Sequence, residues 1–222
     1  MKNLNNYIFE KLKINKDTKV KEYNYHPKDK EELSNIIINR IRKAHEKDKD
    51  IMDFDLNDID TSEITDMSKL FRDMRKEVSF NNVDVSKWNV SKVESFNNCF
   101  TSISNFNCNL SEWDVSSCED FESMFEGCYK FESDLKDWDF GNAKKVRFMF
   151  CYCYKFDTDV SDWDLSGVDS ITRLFDCCKS FRGIGIDKMK LNKDIIKDKE
   201  NRVQTFNNCY NIKKLPSWYE ES

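Results

Sequence analysis

Leu110-Ser-Glu-Trp113-Asp-Val115-Ser116-Ser-Cys118-Glu119-Asp-Phe121-Glu-Ser-Met124-Phe125-Glu-Gly-Cys128-Tyr-Lys-Phe131 is one unit of an internal repeat. Trp88, Trp113, Trp138 and Trp163 stand 25 residues apart. Periods of roughly 20–50 residues mark stacked repeat architectures, in which no unit buries its apolar side alone. Counting from each Trp, Val85, Leu110, Leu135 and Val160 stand three before it, and Val90, Val115, Phe140 and Leu165 two after. Val93, Cys118, Ala143 and Val168 follow at five, and Phe96, Phe121, Val146 and Ile171 at eight. Cys99-Phe100, Met124-Phe125, Met149-Phe150 and Leu174-Phe175 hold eleven and twelve, and Ile103, Cys128, Cys153 and Cys178 hold fifteen. Phe106, Phe131, Phe156 and Phe181 close the unit at eighteen.

Trp-x-Val alternates as a short strand with one buried face does. The later positions advance by three and four, as one face of a short helix does. Ser91-Lys-Val-Glu94 and Ser116-Ser-Cys-Glu119 read as capping boxes at the start of that helix. The expected fold is therefore an α/β solenoid. It would be a right-handed stack of strand–helix units, with a parallel sheet on one face and helical or irregular caps. The leading half also fits the leucine-rich-repeat pattern Leu-x-x-Leu-x-Leu-x-x-Asn/Cys. The phrase Asn109-Leu-Ser-Glu-Trp-Asp-Val-Ser116, followed by Met124-Phe-x-x-Cys-x-x-Phe131, resembles the BspA-like leucine-rich-repeat family. That repeat is also known as a domain of unknown function in mycoplasma lipoproteins. The resemblance covers residues 51–181 and, more loosely, 203–219. It implies a leucine-rich-repeat-like stack, and it implies little about activity, since many members are known only as surface proteins.

Residues 1–50 read as an amino-terminal cap, or alternatively as a small helical domain. Tyr7, Ile8, Leu12 and Ile14 suggest a short element there, and Val20, Tyr23 and Tyr25 an extended one ended by Pro27. Asp29-Lys-Glu-Glu32 should open a helix running to about Lys47, with Leu33, Ile36, Ile37, Ile41 and Ala44 or His45 on its apolar face. Residues 51–181 hold about five units. The first has Ile59 where Trp should stand, and about four extra residues between Phe71 and Trp88, near Lys76 and Asn82. Residues 182–222 read as a degenerate last repeat and carboxy-terminal cap, with an insertion before Phe206-Asn-Asn-Cys209-Tyr-Asn-Ile212.

The 222 residues carry a net charge of −5, unevenly divided: +4 over residues 1–50, −12 over 51–181 and +3 over 182–222. The acidic stack argues against nucleic acid. No apolar run is long enough for a membrane span, and no apolar leader stands at the amino terminus. The expected compartment is the cytoplasm, or the cell surface if a leader has been removed. On the strand face away from the core, Asp60, Asn89, Asp114, Asp139 and Asp164 stand one after the Trp position. Asp58, Lys87, Glu112, Asp137 and Asp162 stand one before it. Stacked about 4.8 Å apart, such carboxylates repel by roughly 1 kcal/mol per neighbour in water. Three readings meet that cost. The side chains cap the following bend, they receive a basic protein partner, or they hold calcium, for which no Asp-x-Asp-x-Asp-Gly loop exists. The candidate partner-binding residues are Asp60, Asn89, Glu112, Asp114, Asp137, Asp139, Asp162 and Asp164.

The nine cysteines mostly occupy apolar ladder positions, where a free thiol packs as a small hydrophobe. Cys-x₂-Cys spacing is missing, so no zinc site and no other metal is expected. The two histidines, His26 and His45, both lie in the cap, away from any nucleophile motif. No Gly-rich phosphate loop appears, and no cofactor is implied. The expected function is a non-catalytic protein–protein interaction module that binds through the acidic sheet face. The alternatives are a surface adhesin or host-contact protein, as the resemblance suggests, or a structural component of an assembly. Oligomeric state stays open.

Overall fold

The computed structural model describes residues 22–219. Its adjacent units meet along a backbone ladder that runs from seven to fourteen residues after each Trp position. The N–H groups of Phe96, Asn98, Phe100 and Ser102 donate to the carbonyls of Asp120, Glu122, Met124 and Glu126 at 2.7–3.0 Å. Phe121, Ser123, Phe125 and Gly127 donate in the same way to Lys145, Arg147, Met149 and Cys151 at 2.8–2.9 Å. The pattern begins with Met67, Lys69 and Phe71 and ends with Arg173, Phe175 and Cys177, which donate to Val203, Thr205 and Asn207.

Alternate residues along this ladder face their N–H groups the same way because two positions per unit take a left-handed backbone. At ten after Trp these are Asn98, Ser123, Phe148 and Arg173, with φ of 54–59°. At fourteen they are Ser102, Gly127, Tyr152 and Cys177, with φ of 63–75°. A non-glycine residue pays about 1–2 kcal/mol for that conformation. The ladder bonds and the packing beneath them offset it. Tight turns link the rungs, with Cys99 N–H donating to Phe96 O at 2.9 Å and Ile103 N–H to Phe100 O at 3.1 Å.

The strand–helix alternation expected within each unit is thus not what the middle units form. Their three- and four-residue apolar steps sit on consecutive turns. A helix would direct each N–H along its own axis, whereas here the neighbouring unit takes it. The capping boxes do not form either: Glu119 N–H donates to Glu94 O at 2.9 Å, and Ser116 Oγ donates to Asp114. Helix is found in the first unit, as noted below.

In chain order the elements are helix α1 (Lys30–Lys47), strand β1 (Asp53–Asp55), helix α2 (Leu70–Met74) and strand β2 (Asn82–Asp84). Then come β3 (Asp164–Leu165), β4 (Lys190–Leu191), helix α3 (Lys193–Lys197) and a 3₁₀ turn (Lys199–Arg202). β1 pairs parallel with β2, Phe54 opposite Val83, and β3 pairs parallel with β4, Leu165 opposite Leu191. Isolated parallel bridges join Asp66 to Ser95, Ser95 to Asp120 and Asp120 to Lys145. α1 starts where Asp29 accepts the N–H of Glu32 at 2.9 Å, and Glu32 in turn accepts the N–H of Lys28 at 2.7 Å. It buries Leu33, Ile37, Ile38 and Ile41, with Ile36 partly covered, so Ile38 joins the expected face. Tyr7, Ile8, Leu12, Ile14 and Val20 lie outside the described residues.

Like side chains stack in the core. Phe71, Phe100, Phe125, Phe150, Phe175 and Phe206 form one column with centroids 5.1–5.9 Å apart. Phe106, Phe131, Phe156 and Phe181 form a second, at 5.8–6.3 Å. Trp113 and Trp138 lie parallel at 6.4 Å. The buried polar atoms of these residues are satisfied between units. Trp88, Trp113, Trp138 and Trp163 each donate Nε1–H to the carbonyl of Leu56, Val85, Leu110 or Leu135 at 2.9–3.2 Å. Cys128, Cys153, Cys178 and Cys209 each point a thiol at the carbonyl of Phe100, Phe125, Phe150 or Phe175, at 2.9–3.1 Å. Each of these carbonyls also accepts a backbone N–H, as Leu110 O does from Trp113 at 3.1 Å and Phe125 O from Cys128 at 2.9 Å. The Trp and Cys hydrogens therefore add a second bond that ties adjacent units together and leaves no buried indole N–H unpaired, a loss that would cost about 1–3 kcal/mol. All nine cysteines are free and buried. The aliphatic face of α1 joins this core at one end, and Trp218 and Tyr219 pack on Phe206 at the other.

Candidate functional site

The residues flanking each Trp stand on a row of bends. Asp114 Oδ1 accepts from Ser116 N–H at 3.1 Å and from Ser116 Oγ at 2.6 Å, closing the bend after Trp113. Asn89 does the same with Ser91 at 3.2 and 2.8 Å, and Asp164 with Ser166 at 3.1 and 2.6 Å. Asp60 takes Ser62 N–H at 3.1 Å, and Asp139 takes Gly141 N–H at 2.8 Å. Short polar side chains favour such bends by replacing a backbone acceptor. Asn89 shows that the bend needs the oxygen and not the charge. The sheet expected beneath this row is present only at its ends, where Tyr25 bridges to Ile59 and β3 pairs with β4.

Only one carboxylate oxygen is used in each bend, and the second differs along the row. At the amino-terminal end Asp58 is paired with Arg40 and bonded by Asn24 Nδ2 at 2.7 Å. Asp60 Oδ2 lies 3.3 Å from His26 Nδ1. At the other end Asp164 Oδ2 lies 3.1 Å from Lys190 Nζ. Burial pushes the Asp58 and Asp60 carboxyls up, yet hydrogen bonds outweigh it and hold both below the usual carboxylate value. Those bonds come from Asn24 and Arg40 on Asp58, and from Ser62 and His26 on Asp60. The Ser166 hydrogen bonds, and then Lys190, hold Asp164 below it as well. Between the ends, Glu112, Asp114, Asp137, Asp139 and Asp162 are exposed, with no cation paired to any of them among the described residues. Asn89 and Lys87 interrupt the acidic row in the second unit.

The structure therefore gathers all eight candidate residues on one row and divides them into paired ends and an open middle. The cations that close the ends were not anticipated. Arg40 lies on the polar side of α1 and Lys190 in the insertion, and neither belongs to the repeat pattern that picked out the acids. Other chemistry is sparse. Among the described residues no group of three or more His, Cys, Asp or Glu side chains is placed to hold a metal ion. His45 Nε2 lies 2.9 Å from Ile51 O, so each histidine of the cap is engaged by a residue that follows it in the first unit. Burial pushes the thiols of Cys108, Cys118, Cys151 and Cys209 up to about 12, which leaves little thiolate at neutral pH. Among the described residues no helix is long and apolar enough to cross a membrane.

Residues 39–153 and, in an overlapping second span, 73–189 match the family described as "Mycoplasma protein of unknown function, DUF285". No curated protein and no solved structure matches the chain.

Proposed function

We propose that this chain, which belongs to the DUF285 family of mycoplasma proteins, is a non-catalytic protein-interaction module. Its partner is a basic protein surface, received on the carboxylates of the middle units. The units are read as turns of a right-handed solenoid of the leucine-rich-repeat, BspA-like type, with ladders and tight turns in its middle units where strand–helix pairs were expected. Such stacks present long continuous surfaces, though architecture alone does not say what binds.

The observation that carries this reading is the contrast along the acidic row. At both ends the chain supplies its own partners, Arg40 and the His26 ring on Asp58 and Asp60, and Lys190 on Asp164. Glu112, Asp114, Asp137, Asp139 and Asp162 lie between them and have none. The ends display the chemistry that the middle offers to a partner: an ammonium or guanidinium on the carboxylate oxygen that the bend leaves over. Exposed pairs of this kind contribute about 0–1 kcal/mol each. Their main effect is on orientation and encounter rate.

The test separates charge from bend. Replacing Asp114, Asp137, Asp139 and Asp162 by Asn, and Glu112 by Gln, removes the charge and keeps the oxygen that Asn89 shows to be sufficient. Wild type should bind a fluorescent lysine-rich peptide with an affinity that falls steeply as salt rises. The neutralised variant should bind more weakly by about tenfold or more, since five lost pairs of about 0.3 kcal/mol or more each reach the roughly 1.4 kcal/mol of one decade, with an unchanged melting temperature. Equal binding by the two proteins would sink the reading.

A further inference from the structure

The extra residues of the first unit build a second, chemically opposite feature. Phe71 and Trp88 are 17 residues apart, where Phe100 and Trp113 are 13 apart. The added stretch forms one wall of an open cleft of about 730 Å³ with Arg75, Lys76, Glu77 and Val78. The other wall comes from α1 and the turn after it, through Arg42, His45, Glu46, Lys49 and Met52. Insertions into a repeat commonly shape its binding surface. The volume lies in the range of roughly 300–1,000 Å³ typical of small-molecule sites.

Four permanent cations, Arg42, Lys49, Arg75 and Lys76, face two acids, Glu46 and Glu77, in this cleft. It is a basic site beside a stack whose net charge is −12. Arg42 Nη2 donates to Glu77 at 2.9 Å, Lys76 Nζ donates to Asp73 at 2.9 Å, and Arg75 Nη1 donates to Ser102 O. Each guanidinium keeps further N–H groups beyond the one so used. Lys49 has no partner among the described residues. Met52 and the buried Val78 give the cleft an apolar part, and His45 stands edge-on to Phe54 at 5.7 Å.

We propose that this cleft binds a small organic anion of the phosphate-monoester class, with its phosphoryl oxygens on Arg75 and Lys49 and its apolar group against Met52 and Val78. Two forked guanidinium groups and an ammonium supply donors from several directions. A tetrahedral dianion with three terminal oxygens uses them more fully than a planar carboxylate does. Glu46 and Glu77 in the cleft and Asp73 on Lys76 leave an excess of one positive charge, which suits one small anion and disfavours a polyanionic backbone. This site is independent of the acidic row.

Calorimetric titration of the full chain with phenyl phosphate tests it. Saturable one-to-one binding is expected, tighter than that of inorganic phosphate and absent for phenol. Lys49→Gln changes an exposed, unpartnered side chain and should leave the fold intact. It and the double variant Arg75→Gln/Lys49→Gln should weaken binding progressively, the double variant by about tenfold or more. Both should bind the lysine-rich peptide as wild type does, and the neutralised acidic-row variant should bind phenyl phosphate as wild type does. No saturable binding to wild type, equal affinity in the variants, or inorganic phosphate binding as tightly as the ester would each overturn the proposal.

Discussion

The middle of the chain and its two ends meet the same packing demand with different chemistry. In the middle, each unit finds its complement in another unit of the same kind. Phe125 lies between Phe100 and Phe150 at 5.6 and 5.7 Å, and Trp138 donates to Leu110 O at 2.9 Å. At the ends the column runs out and unlike groups take over. The aliphatic side of α1 covers one end, Trp218 and Tyr219 cover Phe206 at the other, and Arg40, His26 and Lys190 cover carboxylates. Regularity here serves cohesion. The chemistry a ligand could read is of two kinds: repeated acids without cations in the middle, and cations gathered between α1 and an insertion at one end.

The comparison is most easily broken at the phenylalanine column. Phe125→Ala removes a fully buried ring with like neighbours on both sides and should cost about 3–5 kcal/mol by chemical denaturation. Phe206→Ala, with Phe175 on one side and the cap aromatics on the other, should cost clearly less. Equal losses would mean that the end is packed as rigidly as the middle. The next largest effect tests the donors that tie units together. Trp138→Phe keeps a ring but removes the inter-unit donor to the Leu110 carbonyl, which retains the Trp113 N–H at 3.1 Å, and should cost about 0.5–1.5 kcal/mol, read from the same denaturation curves.

Acid should then separate the ends from the middle. Asp58, Asp60 and Asp164 are held below the usual carboxylate value by their hydrogen bonds and cations, against the opposing effect of burial. A carboxyl lowered on folding contributes stability above its unfolded value, about 3.9 for Asp. It loses that contribution as pH falls through its lower folded value. Below about pH 4, therefore, amide exchange in α1 and around β3–β4 should quicken before exchange in the middle ladder. Arg40→Gln should remove much of the difference at α1. The smallest effect concerns backbone strain. Ser123 holds φ 55° without being glycine, so Ser123→Gly should raise stability by about 0.5 kcal/mol, the relief of strain exceeding the added chain entropy. Gly127→Ala should lower it through φ of 75° alone, because the new Cβ would stand at an ordinary 3.4 Å from Ser102.

Side-chain direction was readable from spacing. The 25-residue recurrence aligned the rings that stack, and the residues flanking each Trp were correctly read as turned outward. Asp29 and Glu32 marked the start of α1 because a cap is local chemistry. The backbone of the units was not readable. Left-handed residues announce themselves when they are glycine or asparagine, and here Phe148, Arg173 and Tyr152 adopt that conformation because the ladder on either side requires it. Apolar steps of three and four residues fit a helix and a chain of turns equally well. The Asp-x-Ser and Asp-x-Gly spacing held the bend, and sequence alone set it ahead of partner binding and of calcium for the position after Trp without excluding either. The structure shows that one oxygen serves the bend and leaves the other over.

The most direct measurement is a ¹H–¹⁵N correlation spectrum of the full chain titrated with a lysine-rich peptide. The expected result is a set of shifts confined to the amides of residues 112–116, 137–141 and 162, reversed by salt and absent in the neutralised variant. Shifts at the caps instead, or none in the middle units at saturating peptide, would contradict an open acidic row as the place where this chain meets its partner.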